Sequence, residues 1–348
     1  MELESPGMFF VVSGEHPTLP KAELLAILDA QRAEYMVKET AYKLVEVQAS
    51  KITPYEVAKR AGFTEEAGIE IFQSSPTIEN IVRELESAPL AGFLSPQEGF
   101  SVRVARFGGA SRSLSRTKLE PFLGAIVAKK TNGRVDLRAP RRQFRGIITG
   151  DSFHFGLLTY QRPRGSIANR RPRKRPAFHP STMVPKLARS MVNLSQAVTG
   201  STFLDPFCGV GGILLEASLL GCQVIGVDAL KRMTRGSRRN LKHFGMDPLG
   251  LVRGDARFLP IRNVNAIATD PPYGTGASTL KSTTRKILED FLPNAHSILS
   301  EGCRAVVASP VGTRTPDIAE SAGFTVVDRH EVYVHRSLTR EILVLEAN

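Results

Sequence analysis

The stretch 204–217, LDPFCGVGGILLEA, constrains the fold more than any other part of the chain. Apolar residues run into Asp205, a glycine cluster follows at Gly209, Gly211 and Gly212, and a helix-forming sequence follows that. This is the pattern of a buried parallel strand that ends in a tight turn and opens a helix, with a ligand at the carboxyl edge of the sheet. From residue 178 onward the chain alternates strand and helix patterns. Strands are expected at 202–205, 224–228, 249–252, 266–270, 305–309, 325–328 and 342–345, with helices at 212–220, 231–244 and 284–299. That alternation predicts an α/β fold, a doubly wound and mainly parallel Rossmann-like sheet over 177–348. Residues 328–338 lack a helical pattern, so the last strand is expected to return through a hairpin and run antiparallel.

The glycine turn discriminates between ligands. A dinucleotide site wants GxGxxG, and the third glycine position holds Leu214. A Walker phosphate loop is excluded because no Lys-Ser/Thr pair follows the glycines. The turn instead begins with the acid Asp205, placed to meet a positively charged group. S-adenosylmethionine carries an ammonium and a sulfonium and no phosphate, and so meets that requirement. Asp228 ends the second strand, where a carboxylate accepts from ribose hydroxyls. Asp255 ends the third, where it can accept from the exocyclic amine of adenine. Each aspartate alone would pass for a helix cap or turn residue; three at successive strand ends make one site.

The motif DPPYG follows the strand NAIATD and belongs to the same rim. Methylating an amine conjugated to a base requires its lone pair to point at the methyl donor while positive charge develops on nitrogen. The Asp270 carboxylate and a backbone carbonyl of Pro271-Pro272 supply acceptors for two N–H bonds, and the prolines fix φ and hold that carbonyl rigid. Tyr273 offers a flat face for a base, worth about 1–3 kcal/mol in base–aromatic contacts. Rate enhancement would come from positioning and electrostatic preorganisation without a covalent intermediate. His179 lies just before the glycine turn and either caps a helix or lines the pocket; Cys208 is either a nucleophile or a small residue fitting the turn.

The N-terminal half reads as smaller α+β modules. A strand at 8–13, a helix at 21–29, strands at 35–37 and 43–49 and helices at 55–61 and 78–86 form the first, over residues 1–90. A strand at 101–107, a helix at 119–130 and strands at 135–137, 144–149 and 152–160 form the second, over 91–160. The formal charge of +12 favours a polyanionic partner through phosphate neutralisation, the plainer alternative being a basic surface that aids solubility. The charge is clustered: Lys129, Lys130, Arg141, Arg142 and Arg145 in the second module, and Arg170, Arg171, Arg173, Lys174 and Arg175 in the segment 161–176. That segment has too few apolar residues to fold alone and reads as a linker, either a solvated tether or a basic arm that orders on RNA.

At 348 residues, 42% hydrophobic and 23% charged, the chain is expected to be globular, and no apolar run reaches the roughly 20 residues of a membrane span. The N-terminus lacks a secretory pattern. Three cysteines without CxxC spacing and seven dispersed histidines point to neither disulfides nor a metal, so no metal is expected. A cytoplasmic location and a monomer are the expectations.

DPFCGVGG, GVD, GDAR and DPPYG, preceded by FHPSTMVPKLARSMVNL, resemble the class I methyltransferases that modify exocyclic amines, in particular the archaeal tRNA guanosine-N2 methyltransferases acting at position ten. Residues 100–160 resemble a THUMP domain, an RNA-binding unit, and 8–88 the ferredoxin-like module that precedes it. The resemblance implies S-adenosylmethionine held by His179, Thr182, Met183, Asp205, Cys208, Gly209, Gly211, Asp228, Asp255, Ala256 and Asp270, and a guanine N2 held by Asp270, Pro271, Pro272 and Tyr273. It implies tRNA as substrate and partner, with one methyl or two left open. The alternatives are an rRNA guanine-N2 or adenine-N6 enzyme, since DPPY serves any exocyclic amine, and a non-catalytic RNA-binding scaffold, which the intact aspartates oppose.

Overall fold

The computed structural model describes residues 6–109, 114–273 and 282–348. Two compact units emerge, one built from residues up to Glu15 with Ala33–Lys59 and Thr64–Arg162, the other from His16–Arg32, Arg60–Phe63 and Pro163–Asn348.

In chain order the first half runs β1 (Gly7–Val12), α1 (Leu19–Ala30), β2 (Tyr35–Ala41), β3 (Leu44–Ala49), α2 (Pro54–Arg60), β4 (Thr64–Ser74), α3 (Ile78–Ser87), β5 (Gly99–Phe107), α4 (Arg116–Thr131), β6 (Arg134–Val135), β7 (Arg142–Thr149) and β8 (Ser152–Gln161). All eight strands join one sheet in the order β2-β3-β1-β4-β8-β7-β5-β6. The sequence reading omitted β4, the strand that joins the halves of this sheet: it pairs antiparallel with both β1 and β8. The boundary expected at residue 90 therefore does not divide two sheets. Leu85 of α3 and Leu123 and Val127 of α4 pack with Phe100, Phe144 and Phe155 in one core.

The expected helix at 21–29 is present as α1, but it belongs to the C-terminal unit. Leu19, Ala26 and Phe63 share a core with Leu187 and Met191. The fully buried Glu23 fixes the join, because Oε1 accepts from Gly62 N at 2.6 Å and Asn193 Nδ2 at 2.7 Å while Oε2 accepts from Phe63 N at 2.9 Å. Burying a carboxylate is tolerable when donors satisfy it in this way. Dispersed in sequence, Glu46, Glu70 and His154 also converge, their donor atoms within 4.8 Å of one another, and burial pushes the Glu46 carboxyl up to about 7.

The second half runs α5 (Pro185–Leu194), β9 (Thr202–Asp205), α6 (Gly212–Ser218), β10 (Gln223–Asp228), α7 (Lys231–His243), β11 (Gly250–Arg253), β12 (Val264–Thr269), α8 (Thr284–Ile298), β13 (Leu299–Pro310), α9 (Thr315–Ser321), β14 (Phe324–His335) and β15 (Leu338–Ala347). The sheet order is β11-β10-β9-β12-β13-β15-β14, parallel from β11 to β13, with β15 antiparallel to both neighbours. The doubly wound sheet and the hairpin return are as the sequence reading expects, although β14 and β15 extend well past 325–328 and 342–345. The order reverses between β9 and β12, so the crevice lies at the carboxyl ends of β9, β10 and β12, as a topological switch point requires. Gly211 makes the turn after β9 possible: it adopts φ +81°, and an added Cβ would lie 2.4 Å from Ser237 Oγ on α7. Among the described residues, no helix is long and apolar enough to cross a membrane.

The segment 161–176 is not a free tether. It carries two short 3-10 turns, Ala168–Arg170 and Pro172–Lys174, and its cations divide into two sets. Arg170 donates from Nε and Nη2 to the two carboxylate oxygens of the fully buried Glu216 at 2.8 and 3.0 Å. Arg175, 5% exposed, donates from Nε to Arg170 O at 2.8 Å. Arg170 and Arg175 are therefore internal, a correction to the basic-arm reading, whereas Arg171, Arg173 and Lys174 are exposed. In the N-terminal unit Lys130 is exposed but engaged, its Nζ donating to Leu85 O at 3.2 Å and Ala88 O at 2.9 Å at the end of α3. Arg145 Nε donates to Glu66 Oε2 at 2.7 Å, and the pair is largely buried. Lys129, Arg141 and Arg142 stay exposed, the two arginines beside Glu98 at 3.2 and 3.3 Å.

Candidate active site

A cleft of about 700 Å³ opens along the carboxyl edge of the C-terminal sheet, a size suited to a nucleoside ligand. Asp205, Asp228, Asp255, Asp270 and Tyr273 all line it, together with His179, Thr182 and Met183. The strand-tip acids that the sequence reading placed on one rim therefore share one cavity. Cys208, Gly209, Ala256, Pro271 and Pro272 line it too; Gly211 shapes the turn behind the wall, and Gly274 of the motif lies outside the described residues.

Asp205, at the tip of β9, is 2% exposed and accepts from Thr269 Oγ1 at 2.7 Å and Phe207 N at 3.2 Å. Thr269 ends β12, so one hydroxyl ties the two adjacent strand tips. Burial pushes the Asp205 carboxyl up to about 7, and the charges of Asp270 and Asp228 add to it, against the lowering by its two hydrogen bonds. Such a carboxyl waits for a cation. Asp228, ending β10, accepts from Gly209 N at 3.0 Å and Leu230 N at 2.8 Å, so it holds the glycine turn as well as facing the cleft. Burial raises its carboxyl also. Asp255 lies two residues beyond β11 and is gripped by Arg257, with Nη2 at 2.6 Å and Nε at 3.0 and 3.1 Å. That pairing holds it below the usual carboxylate range.

His179 Nδ1 lies 2.7 Å from Ser181 Oγ on the cleft wall, and among the described residues no acid forms an ion pair with it. Of the two readings of Cys208, the small turn residue prevails. It is 4% exposed and burial drives its thiol well above the ordinary range, so no thiolate nucleophile is available.

Asp270 follows β12 directly, and the structure adds a residue that the sequence reading missed. Arg340 of β15, 9% exposed, places Nη2 2.9 Å from Asp270 Oδ2, and its Nε donates to the Tyr273 hydroxyl at 3.1 Å. Tyr273 donates in turn to Asp270 Oδ1, and the guanidinium carbon sits 5.6 Å from the centre of the Tyr273 ring. The three side chains form a closed triangle that fixes the carboxylate and the ring. Burial pushes the Asp270 carboxyl upward, and the Arg340 charge is the largest influence drawing it back down. Arg340 is 67 residues from Tyr273 in sequence, and no local motif announces it.

A family model described as RMKL-like, methyltransferase domain matches residues 172–342. The tRNA (guanine(10)-N2)-dimethyltransferase of Methanothermobacter thermautotrophicus is 36% identical over 343 residues, covering 97% of this chain and 99% of that protein. The protein of the same name from Pyrococcus abyssi is 31% identical over 347 residues, covering 98% and 100%. Among solved structures, TrmN from Thermus thermophilus is similar with a TM-score of 0.55 at 22% identity, covering 98% of this chain and 100% of that one. SMU.472, solved in complex with SAH, has a TM-score of 0.54 at 12% identity, covering 100% and 99%.

Proposed function

The chain belongs to the archaeal tRNA (guanine(10)-N2)-dimethyltransferase family, and on that premise we propose that it methylates the exocyclic N2 amine of a guanosine in tRNA, position ten by the name its relatives carry, with S-adenosylmethionine as donor. The observation that carries this reading is the single cleft onto which Asp205 and Asp270 both open. The donor set fits the cofactor: a buried carboxyl tuned to about 7 for the cationic methionine end, Asp228 for ribose hydroxyls, and Asp255 with the backbone at Ala256 for the adenine amine. The SAH in SMU.472, a protein of like fold, is consistent with that fit. When bound, the cofactor supplies an electrophilic methyl on sulfur.

This chain's own residues orient the nucleophile. Asp270 Oδ1, occupied here by the Tyr273 hydroxyl, is the oxygen that the incoming amine takes over, while Arg340 keeps Oδ2. A carbonyl of Pro271-Pro272 accepts the second N–H. Held in this way, the N2 lone pair would face the methyl that a bound cofactor would supply, and Asp270 would be the nearby acceptor for the proton that N2 sheds. A paired guanine amine is hard to reach inside a duplex, which favours a flipped base stacked on Tyr273. The N-terminal unit, with its exposed Lys129, Arg141 and Arg142, is the THUMP-like tRNA-binding part of this reading, and the cytoplasm is its place of work.

Labelled methyl transfer to an unmodified tRNA transcript, followed by nucleoside analysis, tests the proposal. N2-methylguanosine and N2,N2-dimethylguanosine are expected; recovery of N6-methyladenosine would overturn the choice of base.

Two pH effects follow. In the free protein the Asp205 carboxyl has its midpoint at about 7, and a cationic ligand favours the ionised form. Binding then releases a proton, so S-adenosylmethionine affinity should climb as pH rises toward about 7 and level off above it. A flat calorimetric profile between pH 5.5 and 8 would separate Asp205 from the cationic end. Removing Arg340 should raise the Asp270 carboxyl further, because its main lowering influence is gone. Arg340→Met should therefore shift the acid limb of kcat/KM to higher pH, and Arg340→Lys should restore part of the shift. An unmoved limb would leave Arg340 with a packing role only.

A further inference from the structure

Helix α7 carries six cations on its exposed side, Lys231, Arg232, Arg235, Arg238, Arg239 and Lys242, and no acid anywhere in KRMTRGSRRNLKH. Its other side, with Met233, Gly236, Ser237, Asn240 and Leu241, is buried. Among the described residues none of the six forms an ion pair. Several stand three or four positions apart, as with Lys231 and Arg235, Arg235 and Arg239, or Arg238 and Lys242. Like charges at this spacing weaken a helix, and two cations in the first turn also oppose the helix dipole. The next helix in the chain, α8, provides the contrast, since Arg285 pairs with Glu289 at 2.9 Å and Lys286 with Asp290 at 2.8 Å, each four residues on. A solvated helix that only needs solubility is built like α8. The face of α7 is self-repelling, and an external anion would relieve it.

Position narrows the kind of anion. The helix starts three residues after Asp228, and Ala229 and Leu230 line the cleft, so its first turn stands at the rim of the active site. Its 13 residues extend about 20 Å from there. Asn240 clamps the end of the basic segment to α7: Ala177 N donates to Asn240 Oδ1 at 2.8 Å, and Asn240 Nδ2 donates to Ala177 O at 2.9 Å. The exposed Arg171, Arg173 and Lys174 lead directly into this clamp. An extended row of guanidinium and ammonium groups without acids fits a repeating phosphodiester better than one small anion. The exposed side has no apolar residue to enter a membrane interface, which disfavours a lipid surface.

We propose that α7, continued by Arg171, Arg173 and Lys174, is the track along which the catalytic unit grips the phosphate backbone of its RNA substrate. It rests on the tRNA reading above and adds a binding surface that the strand-tip motifs do not contain.

The test uses the full-length protein with Arg235→Gln, Arg238→Gln and Arg239→Gln combined. Affinity for an unmodified tRNA transcript is measured over a salt series by fluorescence anisotropy, S-adenosylhomocysteine affinity by calorimetry, and the melting temperature alongside. We expect tRNA binding at least tenfold weaker at 0.15 M salt. The slope of log Kd against log salt should fall by about two, at roughly 0.7–0.9 per lost phosphate contact. S-adenosylhomocysteine affinity should hold, with melting unchanged or higher because repulsion is relieved. Arg285→Gln with Lys286→Gln on α8 should leave tRNA binding as it was. Wild-type affinity and slope in the triple variant would overturn the proposal, as would equal losses in both variants. A matching loss of S-adenosylhomocysteine affinity would also overturn it, by making the role structural. If the triple variant unfolds, Arg238→Gln alone should still lower the slope by nearly one, and an unchanged slope there counts against the track. Salt-independent tRNA binding by the wild type would overturn the phosphate track, whereas no measurable tRNA binding by the wild type would defeat the tRNA reading itself.

Discussion

Asp270→Ala should lower single-turnover methyl transfer by roughly 10²–10³, the cost of losing one preorganised hydrogen-bonding group at a reacting centre, with tRNA affinity nearly unchanged. The carboxylate sits at the tip of β12 in a triangle with Tyr273 and Arg340, and its removal takes away the acceptor that aims the N2 lone pair. It also leaves Arg340 buried without a counter-charge, so a loss of activity could come from misplacing Tyr273. Two comparisons separate these causes. Asp270→Asn keeps a carbonyl acceptor and should fall between wild type and alanine. Asp270→Ala combined with Arg340→Met removes the stranded cation, and it should stay as inactive as the alanine variant while recovering stability. Near-wild-type turnover in Asp270→Ala would remove Asp270 from its assigned role, and recovered activity in the double variant would assign the loss to Tyr273.

The parts of this site that were legible in the sequence are those whose chemistry is local. Asp205 with Gly209 and Gly211, Asp228 at the end of GVD, and Asp270 with its two prolines each sit within a few residues of the strand that presents them. The parts that were not legible depend on partners far along the chain. Arg340 reads as one more charged residue in LTREILVL until β15 is set into the sheet beside β13. Strand β4 was hidden because TEEAGIEIFQS alternates poorly, and two of its three acids are matched by distant partners, Glu66 by Arg145 and Glu70 by His154. The row on α7 was in view as a helix without acids of its own, but the sequence does not say whether a distant acid pairs with it; among the described residues none does. The basic segment misled for the same reason. Nothing in NRRPRKRP distinguishes Arg170 and Arg175 from their neighbours, and only the fold brings up the carboxylate that claims Arg170, 46 residues away.

That carboxylate gives the largest stability effect. Glu216 on α6 is fully buried, receives Arg170 through both oxygens, and accepts from Arg189 Nε at 2.9 Å. Arg175 stands close enough to feel its charge, and Arg175 and Arg189 are themselves only 5% and 7% exposed. One carboxylate thus anchors two guanidiniums directly, and its charge reaches a third, behind the glycine turn. Replacing a whole buried pair by apolar residues is often neutral, but removing one partner leaves uncompensated charge in a low-dielectric interior at about 3–5 kcal/mol. Glu216→Ala should therefore lower the melting temperature of the C-terminal unit by roughly 6–20 °C, at about 2–4 °C per kcal/mol for a unit of this size. Glu216→Gln keeps the hydrogen-bond acceptor but not the charge, and should retain most of the loss. Arg170→Ala leaves Arg189 paired and should cost less than either. If Glu216→Gln melted like the wild type, hydrogen bonding rather than charge would hold the segment down. A melting temperature within 2 °C of wild type for Glu216→Ala would mean that Arg170 and Arg175 reach solvent when Glu216 is gone, and the basic segment would then be the detachable arm that its composition implies.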